Sequence, residues 1–496
     1  MPEAIQTPKF LLISIDGLRP DLIGPELTPS LYSFAREGLN FTNHRAIYPT
    51  ETYPNVASLI TGAPPSRHGI VANEFLLPEV DPTRTWLGSD IDRVERWNDV
   101  HGGRFHCIPT IGDMLGAAGK TMWTISTETS GSSRLMHPTV DRYPGHLCLI
   151  IKAFQRSRPE GIVKIVTEIA GPLPPRQPAD IHLADQTYAT DAFLALERDR
   201  GMPELAVVWY GGTDHSMHVH GLGSDETRQM IRHVDGELER LLTWWRTHPE
   251  HDRIQVIVMS DHGHVTQTRK IDVKRTLAEA GFKVGSNFQD GTDIAHNSCY
   301  GWSGNIRVRD GDPSLLTDVA QFLMTHPAIG MVFTRGGDEI NGDVEGTFSQ
   351  HLTGAAHERS ADLDYCLRDY DELDPFGLAG TAWADNHQRI NASNHGGFHT
   401  KVLESILILG GSAFRQEEEV TTPSGVTDIT PTILHLLGLP PASTTGRILS
   451  ESWSKGSLPG EVEKIRWEAG YGAFRQELLA ERAYGTLYLH SGRRID

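Results

Sequence analysis

Residues 9–15, KFLLISI, run straight into Asp16-Gly17. A short, largely apolar run with five apolar positions in seven, ending in an Asp-Gly turn, suits a strand buried on both faces better than a helix. LAVVWY (205–210), IQVIVMS (254–260) and SILILGG (405–411) read the same way. Between them lie stretches of helical periodicity: 30–38 after Thr28-Pro29, 109–119, 181–197, 224–245, 273–280, 313–325 and 430–438. KTMWTIS (120–126) and 305–308 complete the strand candidates. Alternation of apolar strands with helices predicts an α/β fold, a mostly parallel central sheet flanked by helices. Residues 127–180 (Ser/Gly- and Pro-rich) and 337–390 (polar, loop-rich) break the pattern. The expected division is a catalytic α/β domain over 1–336, with 127–180 a candidate lid insertion. A smaller inserted cap covers 337–390, and 391–496 returns to the catalytic domain and ends in a C-terminal tail.

The chain has 496 residues and a formal net charge of −19. That balance argues against a binder of nucleic-acid polymers, which would carry basic stripes. A phosphate-containing substrate remains compatible, because bound divalent cations reverse the local sign. Cys107, Cys148, Cys299 and Cys366 form no Cys-x-x-Cys pair and read as free thiols. The first ten residues lack a signal-like pattern, and no run approaches ~18 apolar residues. The expectation is a cytoplasmic protein without a membrane span; the oligomeric state is not indicated.

The chemistry centres on 48–73, YPTETYPNVASLITGAPPSRHGIVAN. Pro54 to Gly62 reads as a short helix, which puts Thr52 at its N-terminus, where free N–H groups and the helix dipole favour an anion. An isolated threonine there is ordinarily an N-cap. The acidic and histidine residues elsewhere change that reading. Three apolar strands lead to Asp16, Asp214 and Asp261. Ligands of open α/β sheets bind beyond the strand carboxyl ends, so these carboxylates should gather on one edge. His218 follows Asp214 by four residues, His262 adjoins Asp261, and His395 sits in a Gly-rich loop before the 405–411 run. Oxygen and imidazole donors of this kind suit zinc, and a cation pair can clamp both oxygens of an in-line phosphoryl displacement. Tyr53, Trp209 and Tyr210 are candidates for stacking on substrate or for the core. His215, His220, His264 and His399 flank the proposed ligands and read as orienting or solvent-facing groups.

IDGLRPD (15–21), TPSLYSFAREG (28–38), PTETYPNVASLITG (49–62), HGIVAN (68–73), TDHSMHVHG (213–221), SDHG (260–263) and NHGG (394–397) resemble, in order, the motifs of the alkaline phosphatase superfamily. The nearest branch is the nucleotide pyrophosphatase/phosphodiesterase (type I phosphodiesterase-like) one. The resemblance implies an alkaline-phosphatase-like fold and two divalent ions, zinc first, with manganese or iron as alternatives. It implies that Asp16, Thr52, Asp261 and His262 hold one ion and Asp214, His218 and His395 the other. Thr52 would be the nucleophile, passing through a phosphothreonine. Asn73 would hydrogen-bond a non-bridging phosphoryl oxygen. The implied substrate is a small phosphodiester. Two alternatives share the centre: cleavage of a phosphonate C–P bond in the manner of phosphonoacetate hydrolase, and phosphomonoester hydrolysis. A third is an inactive binding protein of the same fold. The chain departs from the pattern after the 120–126 strand. TETSGSSRLMHP (127–138) replaces the Trp-Pro-Gly element of nucleotide-cleaving relatives. It also lacks the lysines with which phosphonoacetate hydrolases bind a carboxylate, leaving Arg134 as a substitute.

Overall fold

A computed structural model describes residues 7–176, 181–289, 291–298, 301–453 and 461–495. Strand Lys9–Ile15 lies in the middle of an eight-stranded sheet, between Ile254–Met259 and Leu205–Tyr210. Met122–Ser126 and Leu147–Ile150 extend the parallel array on one side. On the other, Leu407–Gly410 pairs antiparallel with Ile254–Met259, and the short strands Leu39–Phe41 and Glu418–Val420 close the edge. Both faces are covered, which is why the strands read as largely apolar runs. Phe10 and Leu12 point into one core with Trp209, Ile257 and helix Thr52–Thr61. Leu11, Ile13 and Ile15 point into the other, with Val208, Val256 and helices Leu183–Arg200 and Asp225–Thr247.

The segment 127–180 carries the edge strand Leu147–Ile150 and helices Ser130–Leu135 and Ile162–Ala170. That strand is hydrogen-bonded to Met122–Ser126 as part of the central sheet. A four-residue strand among prolines and glycines gives no periodic signal. Beyond Ile254–Met259 the chain builds a six-stranded sheet that includes Ile294–Asn297, Ser303–Val308, Ile329–Thr334 and Leu363–Leu367. Helix Pro313–Thr325 packs on it. This second layer takes in residues on both sides of position 337. A four-stranded sheet joins Asp369–Leu373, Ala379–Ala384, Val265–Lys270 and Ser393–Asn394. Charged, half-exposed strands such as DYDEL hide the alternation that would reveal them. The chain closes with an antiparallel meander, Glu463–Tyr471, Phe474–Ala483 and Thr486–Arg494. No helix among the described residues is long and apolar enough to cross a membrane.

The helix expected to begin at Pro54 begins at Thr52, so Thr52 lies in its first turn and Glu51 takes the cap position. All ten of its residues are buried, and Gly62 ends it in the left-handed region at φ 63°. A Cβ at Gly62 would come within 2.8 Å of Thr444, so glycine serves both the turn and the packing.

Candidate active site

Asp16, Thr52, Asp261 and His262 come together at the carboxyl ends of the central strands. Asp16 directly follows Ile15, and Asp261 stands two positions beyond Met259, the end of strand Ile254–Met259. Gly17 N–H donates to Asp261 Oδ1 at 3.1 Å, which ties the two strand ends. Thr52 Oγ1 lies 3.2 Å from His262 Nε2, and His262 Nε2 lies 3.3 Å from Asp261 Oδ2 and 3.8 Å from Asp16 Oδ1. Asp16 Oδ1 and Asp261 Oδ2 are buried and accept no hydrogen bond. Two bare carboxylate oxygens beside an imidazole are costly unless a cation or proton is shared among them.

Asp214 stands in the first turn of helix Gly212–His220 instead of on a strand end, and His218 is one turn on, on the same face. His218 Nε2 is 3.2 Å from Asp214 Oδ1 and 3.1 Å from His395 Nε2. His395 Nε2 is 3.5 Å from Asp214 Oδ1. The antiparallel pairing of Ser393–Asn394 with Val265–Thr266 carries His395 there from the far end of the chain.

The tautomers follow from the carbonyls. His218 Nδ1 faces Ser393 O at 3.0 Å, His395 Nδ1 faces Thr50 O at 2.8 Å, and His262 Nδ1 faces Gly263 O at 3.2 Å. A carbonyl only accepts, so each Nδ1 carries a proton and each Nε2 faces inward, able to offer a lone pair to an ion or, without one, to hold a proton against a carboxylate. Inward lone pairs with carboxylate oxygens make a donor set suited to divalent metals, and imidazoles pinned through Nδ1 are the usual arrangement at such sites. Two groups of side chains have converging donor atoms that could hold an ion: Asp16, Asp261 and His262, and Asp214, His262, His264 and His395.

Burial raises the Asp16 carboxyl well above the carboxylate range, with the charges of Asp261, Glu128 and Asp214 adding to it. Burial likewise pushes Asp261 up to about 8. Burial alone would raise Asp214 too, but the charge and hydrogen bond of His218, with bonds from His264 and His395, hold it well below its usual value. Burial keeps His262 and His395 neutral.

Asn73 Oδ1 accepts the Tyr53 N–H at 3.0 Å, so its Nδ2 is the end left to donate. Of the flanking histidines, His264 is fully buried with Nε2 2.9 Å from Asp214 Oδ1, whereas His215 is exposed. Trp209 is no stacking platform: it is fully buried and its Nε1–H donates to Asp16 Oδ2 at 2.7 Å. Tyr210 bonds Thr190, and Tyr53 is buried edge-on to Trp86. Arg134 does not replace the missing lysines, because its guanidinium is taken by Glu95 and the Arg156 carbonyl. Cys107, Cys148 and Cys366 are free thiols, and Cys299 lies outside the described residues. Thr50, Glu51 and Glu128 also reach the site; Thr50 and Glu51 lie inside the 49–62 motif beside Thr52, whereas no motif signals Glu128. Trp209→Phe keeps an apolar core residue but strips Asp16 of its indole donor. It should weaken divalent-ion affinity roughly 10- to 100-fold, measured by calorimetric titration of the metal-free protein.

A family model described as type I phosphodiesterase/nucleotide pyrophosphatase matches residues 10–328. Human ectonucleotide pyrophosphatase/phosphodiesterase family member 1 is 23% identical over 266 residues, 53% of this chain and 24% of that protein. Bis(5'-adenosyl)-triphosphatase enpp4 of Xenopus laevis is 40% identical over 100 residues, 20% of each chain. The chain thus spans a quarter or less of the length of these two curated relatives. Among solved structures, murine ectonucleotide pyrophosphatase/phosphodiesterase 5, as an inactive variant in complex with AMP, superposes with a TM-score of 0.60 at 18% identity. That match covers 88% of this chain and 97% of the murine one, a likeness of fold.

Proposed function

The chain belongs to the type I phosphodiesterase/nucleotide pyrophosphatase family, and on that footing we propose that it hydrolyses small phosphodiesters with Thr52 as nucleophile. The observation that carries the reading is the gathering of Asp16, Asp261 and His262 around the Thr52 hydroxyl, with Asp214, His218 and His395 alongside. Asp16, Thr52, Asp261 and His262 would hold one divalent ion and Asp214, His218 and His395 a second, zinc first; bound there, they would supply charge stabilisation at the reacting oxygens and a lowered pKa for the threonine hydroxyl.

The residues' own work follows from their positions. Thr52 Oγ1 forms the bond to phosphorus as one alkoxy group departs, giving a phosphothreonine diester. Water then cleaves the Thr52 O–P bond, releasing a phosphomonoester. The first helical turn sets its positive dipole end toward the reacting phosphoryl, while its Tyr53 N–H is spent on holding Asn73 Oδ1. Asn73 Nδ2 donates to a non-bridging oxygen as its charge grows. Asp16 and Asp261, bare on one oxygen each, hold the centre rigid from two strand ends.

Charge favours a diester over the phosphonate and monoester readings. Asp16, Asp214, Asp261 and buried Glu128 put four carboxylates within electrostatic reach of one another. Arg134 is engaged by Glu95, and the charge of Lys152 falls on buried Glu128, so neither cation is set aside for a second anionic group there. A monoanionic diester suits that balance better than a dianionic monoester or a carboxylated phosphonate. The test compares kcat/KM of the metal-loaded protein on bis(p-nitrophenyl) phosphate, p-nitrophenyl phosphate and phosphonoacetate. The diester should lead by at least about tenfold, which corresponds to ~1.4 kcal/mol of transition-state preference; a lead by either rival would replace this reading.

A further inference from the structure

Glu51 precedes the nucleophile and is buried at 1% exposure, yet no step above uses it. Its two oxygens are both engaged. Oε2 accepts the backbone N–H of Asn73, and Oε1 accepts the hydroxyl of Ser303 at 2.7 Å. Ser303 opens strand Ser303–Val308 of the second sheet. Alternate residues of a strand share a face, and the next two on that face continue the fastening. Asn305 Nδ2 donates to Glu74 O at 2.9 Å, and Arg307 Nε donates to Leu76 O at 2.9 Å. One strand face therefore grips Glu51 and the backbone just after Asn73, while Tyr53 N–H grips Asn73 Oδ1 from the nucleophile helix.

We propose that Glu51 is a positioning residue: it sets Asn73 against the phosphoryl site and couples that setting to the second sheet through Ser303. The inference rests on the reading of Asn73 as a donor to the phosphoryl oxygen. A donor of this kind must lie within hydrogen-bond reach of the place where charge develops, and its loss costs about 10²–10³ in kcat. Small displacements are also costly, about 10²-fold for 1 Å. Asn73 is fixed at three points: its own N–H on Glu51, its Oδ1 on Tyr53 N–H, and its carbonyl, which accepts the Gly88 N–H at 3.1 Å. Removing Glu51 frees one of them and leaves a buried N–H and a buried hydroxyl without acceptors.

The test is a double-mutant cycle on the metal-loaded protein with bis(p-nitrophenyl) phosphate, read as kcat and KM, with bound metal measured for each variant. Glu51→Ala should lower kcat roughly 10- to 100-fold with little change in KM or metal content. Glu51→Ala/Asn73→Ala should be no slower than Asn73→Ala by more than about threefold, because a residue acting through Asn73 has nothing left to position. Glu51→Gln keeps an acceptor for the Asn73 N–H and a polar partner for Ser303, and should recover most of the loss. Multiplicative losses in the double variant would overturn the proposal, as would Glu51→Gln as slow as Glu51→Ala. So would an unimpaired Glu51→Ala beside an impaired Asn73→Ala. An unimpaired Asn73→Ala overturns the role given to Asn73, and this inference with it, while leaving Thr52 to be judged by its own variants. If Glu51→Ala does not fold by circular dichroism, Ser303→Ala takes its place in the cycle. It loosens one anchor, and its loss should again vanish in the Asn73→Ala background; a loss that persists there overturns the proposal.

Discussion

Thr52→Ala is expected to lower kcat on an aryl phosphodiester by at least about 10⁴-fold, the scale seen when a covalent nucleophile is removed. The hydroxyl is the only nucleophilic atom of the segment set against His262, Asp16 and Asp261, and its 3.2 Å approach to His262 Nε2 shows where its proton points. A weak alcohol nucleophile depends on such activation. The variant should fold normally, because alanine suits a buried helical turn and removes little volume. Thr52→Ser keeps the oxygen and should retain activity far above that of alanine. The measurement is steady-state kinetics beside thermal melts. Activity of Thr52→Ala within a few-fold of the parent would falsify the mechanism; lost activity with a lowered melting temperature would mean only that the helix was damaged.

Metal removal should have the next largest effect, and it should depend on pH. In the metal-free protein burial keeps the Asp261 carboxyl protonated up to about pH 8, and Asp16 is shifted in the same direction. In the unfolded chain an aspartate ionises near ~3.9. Between those values the folded state binds more protons than the unfolded one. The contribution of these two carboxyls to the stability of the metal-free protein therefore falls as pH rises above about 4, and for Asp261 levels off above about 8, while buried His262 and His395 act with the opposite sign below about 6.5. Divalent ions displace those protons, so their affinity rises over the same window. An ion at a thousand times its Kd adds roughly 4 kcal/mol per site. Activity should be lost in EDTA and return with Zn²⁺. The gap in melting temperature between loaded and EDTA-treated protein should be wider at pH 8 than at pH 5. A gap that narrowed with pH would mean that these carboxylates are not the ligands.

The sequence by itself determined the α/β class, because strands covered on both faces must be largely apolar, as KFLLISI, LAVVWY and IQVIVMS are. It also singled out Asp16, Thr52, Asp214, His218, Asp261, His262 and His395 as candidates, because their types and order stand in local motifs. What it could not carry was anything set by pairing across distance. Leu147–Ile150 is too short to announce itself, and it becomes an edge strand only because Met122–Ser126 offers a hydrogen-bonding partner. Trp209 fits substrate stacking and core packing equally well as a sequence, and only the fold sets its indole on Asp16, 193 residues away in sequence. Ser303 meets Glu51 across 252 residues, a contact that no local pattern encodes. Local propensity and periodicity are properties of neighbouring residues. Which lone pairs face one another, and which are left bare, is decided only when the sheet edge, the nucleophile helix and the second layer close on one another.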